Sequence, residues 1–433
     1  VKLPESRQSG FRRPTRLLGA LILALVVLPP AEAQTRKPRP DGMAVGRWFL
    51  SPYFFQGVEY ESNIFRRPTD EESDQIRRTT LALEATLPVR NSFFDLAYRA
   101  DRFDYQKNRF PRDWAQEGMA VWRMNFGSGD RLKLTERYTL GISDTTAVDE
   151  GGELVFQGQS YDLNRFDVEI SRSTPKRPGY QVNLNRVDMN WEEPEGDQQI
   201  PYFDYRGWDT RYEYRHPVPP GNWLIAYCDL RRIDHYHPRG YEDPETGEDA
   251  WELGVPFRTE ESESLQVGLR GLLGRDQPFF ARVGWGRFGY TGQEASQEDF
   301  RGWVGRAQWR LNVGTRTHVE LTASRRPLPS YYPTYYIVNE FRVTADHEWL
   351  LYSRAGVEFL YSRNRYGEPL PELSCGEGVR RDTRWYAEAF MDWLVLSKFG
   401  FRVAAAHYER GSNCAGAGYS ANTLTAGLTL GWF

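Results

Sequence analysis

Beyond residue 28 the chain has no apolar run of even twelve residues, so it holds no helix able to cross a hydrocarbon layer of ~30 Å. Cysteine is almost absent: three residues in 433 (Cys228, Cys375, Cys414) are too few to staple a chain of this length. Neither charge sign dominates, with 55 Lys and Arg against 59 Asp and Glu. That balance excludes a nucleic-acid binder and a polybasic membrane-surface protein. Histidine is scarce, six residues scattered along the chain, and there is no Gly-x-Ser-x-Gly elbow. Acyl-transfer chemistry needs a nucleophile with a base in reach, and no stretch of sequence assembles one. The pair in "DHYH", His235 and His237, shares one strand face but lacks a nearby third ligand for a metal. The expectation is a protein without catalytic residues, cofactor or metal.

What the sequence does contain is aromatic: 14 Trp, 25 Tyr and 24 Phe beside 26% charged residues. Such wealth without apolar runs requires a structure in which apolar and polar residues alternate, and period two is visible throughout. In "RGWVGRAQWRLNVG", Trp303, Ala307, Trp309 and Leu311 share one parity while Arg306, Gln308 and Arg310 share the other. "TTLALEATLPV" sets Leu81, Leu83, Ala85 and Leu87 against Thr80, Glu84 and Thr86. "RWYAEAFMDWLV" does the same, with Phe390 as the exception. These are long, half-apolar strands.

Short turn signals ("PVRN", "GSGD", "TPKRP", "PVPPG", "GRDQ", "NVGT", "LYSR", "LSKF") alternate with long polar loops such as "PRGYEDPETGEDAWELGVPF". Eight short turns and nine long loops predict 18 strands, with 16 the alternative count. Short turns on one side, long loops on the other and a lipid-compatible residue at every second position predict an all-β, transmembrane, antiparallel up-and-down β-barrel. A sheet in hydrocarbon must pair every backbone N–H and C=O, and only closure removes the edges. Residues 17–28, "LLGALILALVVL", follow three arginines and precede Ala31-Glu32-Ala33, which predicts a signal peptide over 1–33. A short periplasmic segment over 34–45 and a barrel over 46–433 in the bacterial outer membrane follow from it. Its partners are then outer-membrane lipid and lipopolysaccharide, and the barrel assembly machinery.

The inward parity collects Arg78, Glu84, Arg99, Arg270, Arg306, Arg310, Arg316, Glu340, Arg342, Glu388 and Arg402 as candidate lumen charges. Burying them in a dry core costs several kcal/mol per unpaired ion, so the pattern demands a wet interior. Facing bands of Arg and carboxylate would select permeants by charge. Trp48, Tyr53, Phe54, Tyr138, Trp223, Trp285, Trp303, Trp309, Tyr335, Tyr336, Trp385, Trp393 and Trp432 are expected in interfacial girdles. Cys375 and Cys414 fall in predicted loops and are candidates for a disulfide, whereas Cys228 lies inside a strand pattern. At the other extreme of the chain, Thr425, Gly427, Leu430 and Trp432 resemble the strand signal read by outer-membrane assembly machinery, with Phe433 one place beyond it.

Residues 57–88, "GVEYESNIFRRPTDEESDQIRRTTLALEATLP", resemble the opening of the beta-barrel porin 2 family. Tyr60, Glu61, Ser62, Asn63, Ile64, Phe65, Ser73 and Asp74 carry the likeness, which covers this segment alone. The resemblance implies a porin-like passage for hydrophilic solute, with exopolysaccharide export and periplasmic polysaccharide-export components as partners. It brings no catalytic residues. The sequence leaves open a closed barrel serving as a docking part of an envelope secretion complex and, behind it, an outer-membrane enzyme that would work through His235 or His347.

Overall fold

The computed structural model describes residues 42–89, 91–108, 114–126, 129–142, 160–174, 177–191, 204–219, 221–236, 256–274, 276–292, 299–330, 334–350, 353–369, 375, 378–396 and 398–431. The expected signal peptide over 1–33, the following residues 34–41, and His237, Trp432 and Phe433 lie outside them. Nineteen strands follow in chain order: β1 (Met43–Val45), β2 (Trp48–Glu61), β3 (Asp74–Val89), β4 (Ser92–Tyr105), β5 (Trp114–Phe126), β6 (Asp130–Ile142), β7 (Ser160–Thr174), β8 (Arg177–Trp191), β9 (Asp204–Val218), β10 (Asn222–Tyr236), β11 (Arg258–Leu273), β12 (Gln277–Gly292), β13 (Phe300–Val313), β14 (Thr317–Pro329), β15 (Tyr335–Leu350), β16 (Ser353–Tyr366), β17 (Arg381–Leu396), β18 (Phe399–Ser412) and β19 (Tyr419–Gly431). Each of β2 to β19 pairs antiparallel with its neighbours in sequence, and β19 returns to β2 from Gly431↔Tyr53 to Thr423↔Glu61. The wall is therefore a closed ring of 18 strands, the count that eight short turns implied. Short β1 folds back on β2 at the turn side, Met43 opposite Leu50.

The turns explain the sharp reversals. Gly221, Gly274 and Gly314 stand at φ of 75°, 72° and 68° in three of the short connections, where a side chain would be strained.

The continuous register fixes which side chains face out. From β19, the pairs Leu424↔Tyr60, Ala426↔Val58 and Leu428↔Gln56 point outward, and Thr425↔Glu59 and Gly427↔Gly57 inward. Carried around the ring, the turn-side part of the outer face is nearly all apolar, with Leu83, Trp122, Leu134, Ile170, Leu224, Val267, Val283, Trp309, Val343, Val357 and Val403. Cys228 belongs to this face. An edge-free ring with an apolar belt outside and charge within is a transmembrane β-barrel of the outer-membrane type. Trp285 and Trp303 meet edge to face on the outside, their centroids 5.5 Å apart. Four of the aromatics expected in girdles lie inside instead: Tyr53 opposite Ala82, Trp223 opposite Arg270, Tyr336 opposite Tyr366, and Tyr335, buried against Phe288 and Phe300.

Candidate functional site: the barrel lumen

The inner face divides by height. On the long-loop side it is packed. Ile76, Phe103, Ile233, Phe288, Tyr290, Val338, Tyr336 and Tyr366 are buried, and buried polar groups sit among them in pairs. Asp382, fully enclosed, accepts from Arg410 at 2.6 Å and faces Arg380 at 2.9 Å, while Arg231 lies 3.2 Å from buried Glu260. Breaking one such buried pair leaves an uncompensated charge and costs ~3–5 kcal/mol. His235, which the sequence put forward beside His237, is enclosed 3.7 Å from Glu260.

The loop between β2 and β3 takes part in this packing, and the residues of the family resemblance do the work. Asn63 and Ile64 are fully buried, and Ile64 packs on inward Ile76 and Phe103. Arg66 lies 2.8 Å from Glu61 and over the ring of Tyr408 at 4.4 Å, inside the ring of strands. Asp74 gathers the next loop with bonds from the backbone N–H groups of Gln106, Lys107 and Asn108. Sequence alternation could not show this, because a loop residue turned inward has no strand parity to betray it.

On the turn side the interior is open. A cavity of about 830 Å³ lies against β3 to β9, lined by Glu84, Arg123, Lys133, Glu169, Asn183, Asn185 and Arg211 among others. Inward positions of β8 carry three amides in succession, Gln181, Asn183 and Asn185. Planar amides beside solvated ions offer many hydrogen-bond donors and acceptors to a polar solute.

Ten of the eleven predicted lumen charges are inward members of the wall. Arg78 and Arg99 share Asp101, at 3.1 and 2.7 Å. Arg270 meets Glu213 at 3.2 Å, Arg310 meets Glu320 at 3.0 Å, and Arg342 stands between Glu340 at 3.5 Å and Glu358 at 3.0 Å. Glu388 accepts from the hydroxyl of Tyr386, and Arg402 bonds Asp392 at 3.1 Å. Arg316 departs from the prediction. It belongs to the turn between β13 and β14 and donates to the carbonyl of Trp349 at 3.3 Å.

Nor do the charges form facing bands. Most alternate with carboxylates along and across strands, which keeps each one paired and leaves little net field. Such half-exposed pairs contribute ~0–1 kcal/mol each. One group stands apart: Arg282 and Arg306 are directly opposite each other on β12 and β13, a juxtaposition that destabilises a sheet unless something offsets it. Arg282 lies 3.4 Å from the ring centre of Tyr227, and Arg282 and Arg270 both approach Phe280, at 5.4 and 5.1 Å. Arg306 has no side-chain partner among the described residues. Sequence reasoning named Arg270 and Arg306 but not Phe280, the ring that Arg270 shares with Arg282.

Cys375 and Cys414 are joined by a disulfide that ties the loop after β16 to the loop after β18. Of the strand signal, Thr425 and Gly427 point inward and Leu430 outward. A Cβ on Gly427 would come within 2.3 Å of the Phe55 ring, so this glycine makes room for an aromatic at the closing seam.

Among solved structures, the copper transporter OprC aligns over 87% of this chain and 62% of its own, at 11% identity and a TM-score of 0.48. The FrpB iron transporter from Neisseria meningitidis aligns over 83% of this chain and 62% of its own, at 8% identity and a TM-score of 0.49. OccK2 (OpdF) of Pseudomonas aeruginosa, solved with glucuronate, aligns over 89% and 98%, at 12% identity and a TM-score of 0.46. This chain thus spans less than two thirds of the two transporters' length. No protein-family model and no curated protein matches the chain.

Proposed function

We propose that the barrel gives a hydrophilic solute passage across the outer membrane, admitting it from the periplasmic, short-turn side. The observation that carries this reading is the cavity of about 830 Å³ inside the closed ring, lined largely by charged and polar side chains. A wall that served only as a scaffold has no need of amides and unpaired ions at its centre. Lys133, Glu84 and Glu169 line that cavity without a side-chain partner among the described residues, ready to meet water or solute. The amide row of β8 suits sugar hydroxyls, and together with the likeness of residues 57–88 to the beta-barrel porin 2 family it supports exopolysaccharide as the cargo. Periplasmic polysaccharide-export components would then dock at the short turns. Among the described residues the outer half is packed, so passage requires the β2–β3 loop and its Glu61–Arg66 pair to yield.

Single-channel recording of the full chain in planar bilayers is the test. Discrete conductance, rising when Arg66 is replaced, supports the proposal. Silence of both the native protein and the Arg66→Ala variant at every voltage sinks it. The packed outer half favours a second reading, a closed docking barrel of a secretion complex. Silent bilayers together with stoichiometric co-purification of a periplasmic export component would select that reading.

A further inference from the structure

The outer face of the barrel is as asymmetric as its lumen. Strands of 13 to 16 residues exceed the ~9–11 needed to cross the hydrocarbon. The apolar belt reaches down to the short turns, so the excess length projects on the long-loop side, at the level of the outer-leaflet headgroups. There the outward positions change character. The aromatics Trp303, Phe341, Tyr361 and Trp385 end the belt on β13, β15, β16 and β17, and beyond them the outward positions include Arg301, Arg363, Arg365 and Arg381.

The densest group lies on β14 to β17. Arg325 is fixed by bonds from its guanidinium to the carbonyl of Trp303 at 3.0 Å and to Asn339 at 2.7 Å. Arg363 donates to the hydroxyl of Tyr361 at 2.7 Å. Arg365 and Arg381 face each other directly across β16 and β17, both exposed, and neither guanidinium has a partner among the described residues. Outward positions nearby on β15 and β17 are Ile337, Asn339 and Thr383, none of them a carboxylate. Glu409, on the adjacent outer face of β18, is held by the indole N–H of Trp385 at 2.6 Å. Two like charges in direct cross-strand register destabilise the sheet unless an external anion sits between them. At the turn side, by contrast, outward Arg172 is neutralised by Asp130 at 2.6 Å.

We infer that Arg325, Arg363, Arg365 and Arg381 form a binding site for the phosphate groups of an outer-leaflet glycolipid. The guanidinium fork matches phosphate geometry with paired N–H···O bonds. The aromatic row below it offers an apolar and amphipathic surface to the acyl chains, at the depth where such rings sit. Charge complementarity selects this occupant over a neutral lipid, and the position on the long-loop side selects the outer leaflet. The site is independent of conduction, because its residues are on the opposite side of the wall from the lumen.

The test uses the full chain, refolded in neutral detergent, titrated with lipid A bearing two phosphates, with the same glycolipid dephosphorylated, and with phosphatidylglycerol, bound lipid being read by native mass spectrometry. The native protein should retain bisphosphorylated lipid A in preference to both others. The double variant Arg365→Gln/Arg381→Gln should weaken it roughly tenfold or more, as expected for lost charge-assisted bonds. Arg172→Gln should leave it unchanged. Heat-modifiable migration in gels verifies that each variant is a folded barrel, and single Arg365→Gln and Arg381→Gln variants with intermediate losses keep the test valid where the double variant fails to fold. Equal retention of dephosphorylated lipid or of phosphatidylglycerol, an undiminished affinity of the variants, or an equal loss in Arg172→Gln overturns the assignment.

Discussion

The side-chain amide of Asn63 donates to the carbonyl of Ser420 at 3.0 Å, joining positions 357 apart in the chain. Ser62 and Asn422 exchange two further bonds beside it, backbone N–H to carbonyl at 3.0 Å and N–H to hydroxyl at 2.8 Å. The short motif that carries the family likeness is thus a clasp: it fastens the first long loop to the last strand and turns Arg66 into the lumen.

Breaking the clasp should open the outer half. Arg66→Ala removes the cation beside Glu61, a buried carboxylate that also accepts from Thr423 at 3.0 Å. The expected result is higher conductance and a loss of ~3–5 kcal/mol in the unfolding free energy. The paired variant Glu61→Gln/Arg66→Met should recover much of that stability while keeping the conductance. A double-mutant cycle read by urea titration in lipid vesicles checks both, and additive losses would refute the pairing.

Charge selection should localise to the directly opposed Arg282 and Arg306. Arg306→Gln is expected to shift the reversal potential of a salt gradient toward cations, and Arg310→Gln to shift it far less, since Arg310 is already paired with Glu320. Equal shifts from the two substitutions would show that pairing is irrelevant to the field.

Gly427 separates recognition from packing. Gly427→Val should slow refolding into vesicles that contain no assembly machinery, because the new side chain meets the Phe55 ring, and Phe55→Ala should restore the rate in the double variant. Normal refolding of Gly427→Val alone would assign this glycine to recognition only.

Reducing the disulfide should loosen the rim without opening the wall. Cys375 and Cys414 are 39 positions apart, a loop for which chain entropy predicts a contribution of roughly 4 kcal/mol as an upper value. Cys375→Ser/Cys414→Ser is therefore expected to cut faster with protease at the loop after β16, while heat-modifiable migration of the barrel persists. Loss of that migration would mean the bond holds strands as well as loops.

Most of the wall was readable in the amino acids because lipid imposes parity on every strand. Trp303, Ala307, Trp309 and Leu311 face out as their spacing required, and the short turns counted the strands. Phe390, which breaks the alternation of its strand, proves to be inward. It packs against Gly356 and lies within 5.3 and 5.5 Å of the Arg354 and Arg402 guanidinium groups. Parity does not report height or fill, however. Tyr53, Trp223 and Tyr336 are aromatics by type and lumen residues by register, and nothing in the alternation of β15 or β16 separates a solvated Glu358 from an enclosed Asn364. That difference arises from which long loop leans over which strand, a property of tertiary packing alone.

The join between β19 and β2 has a consequence for biogenesis. Until residues 423–431 are in place, the backbone of β2 from Tyr53 to Glu61 offers an unsatisfied ladder, and seventeen strands already zipped together do nothing to cover it. A carboxyl-terminal deletion of one strand would leave two raw borders, β18 and β2, facing hydrocarbon that can satisfy neither.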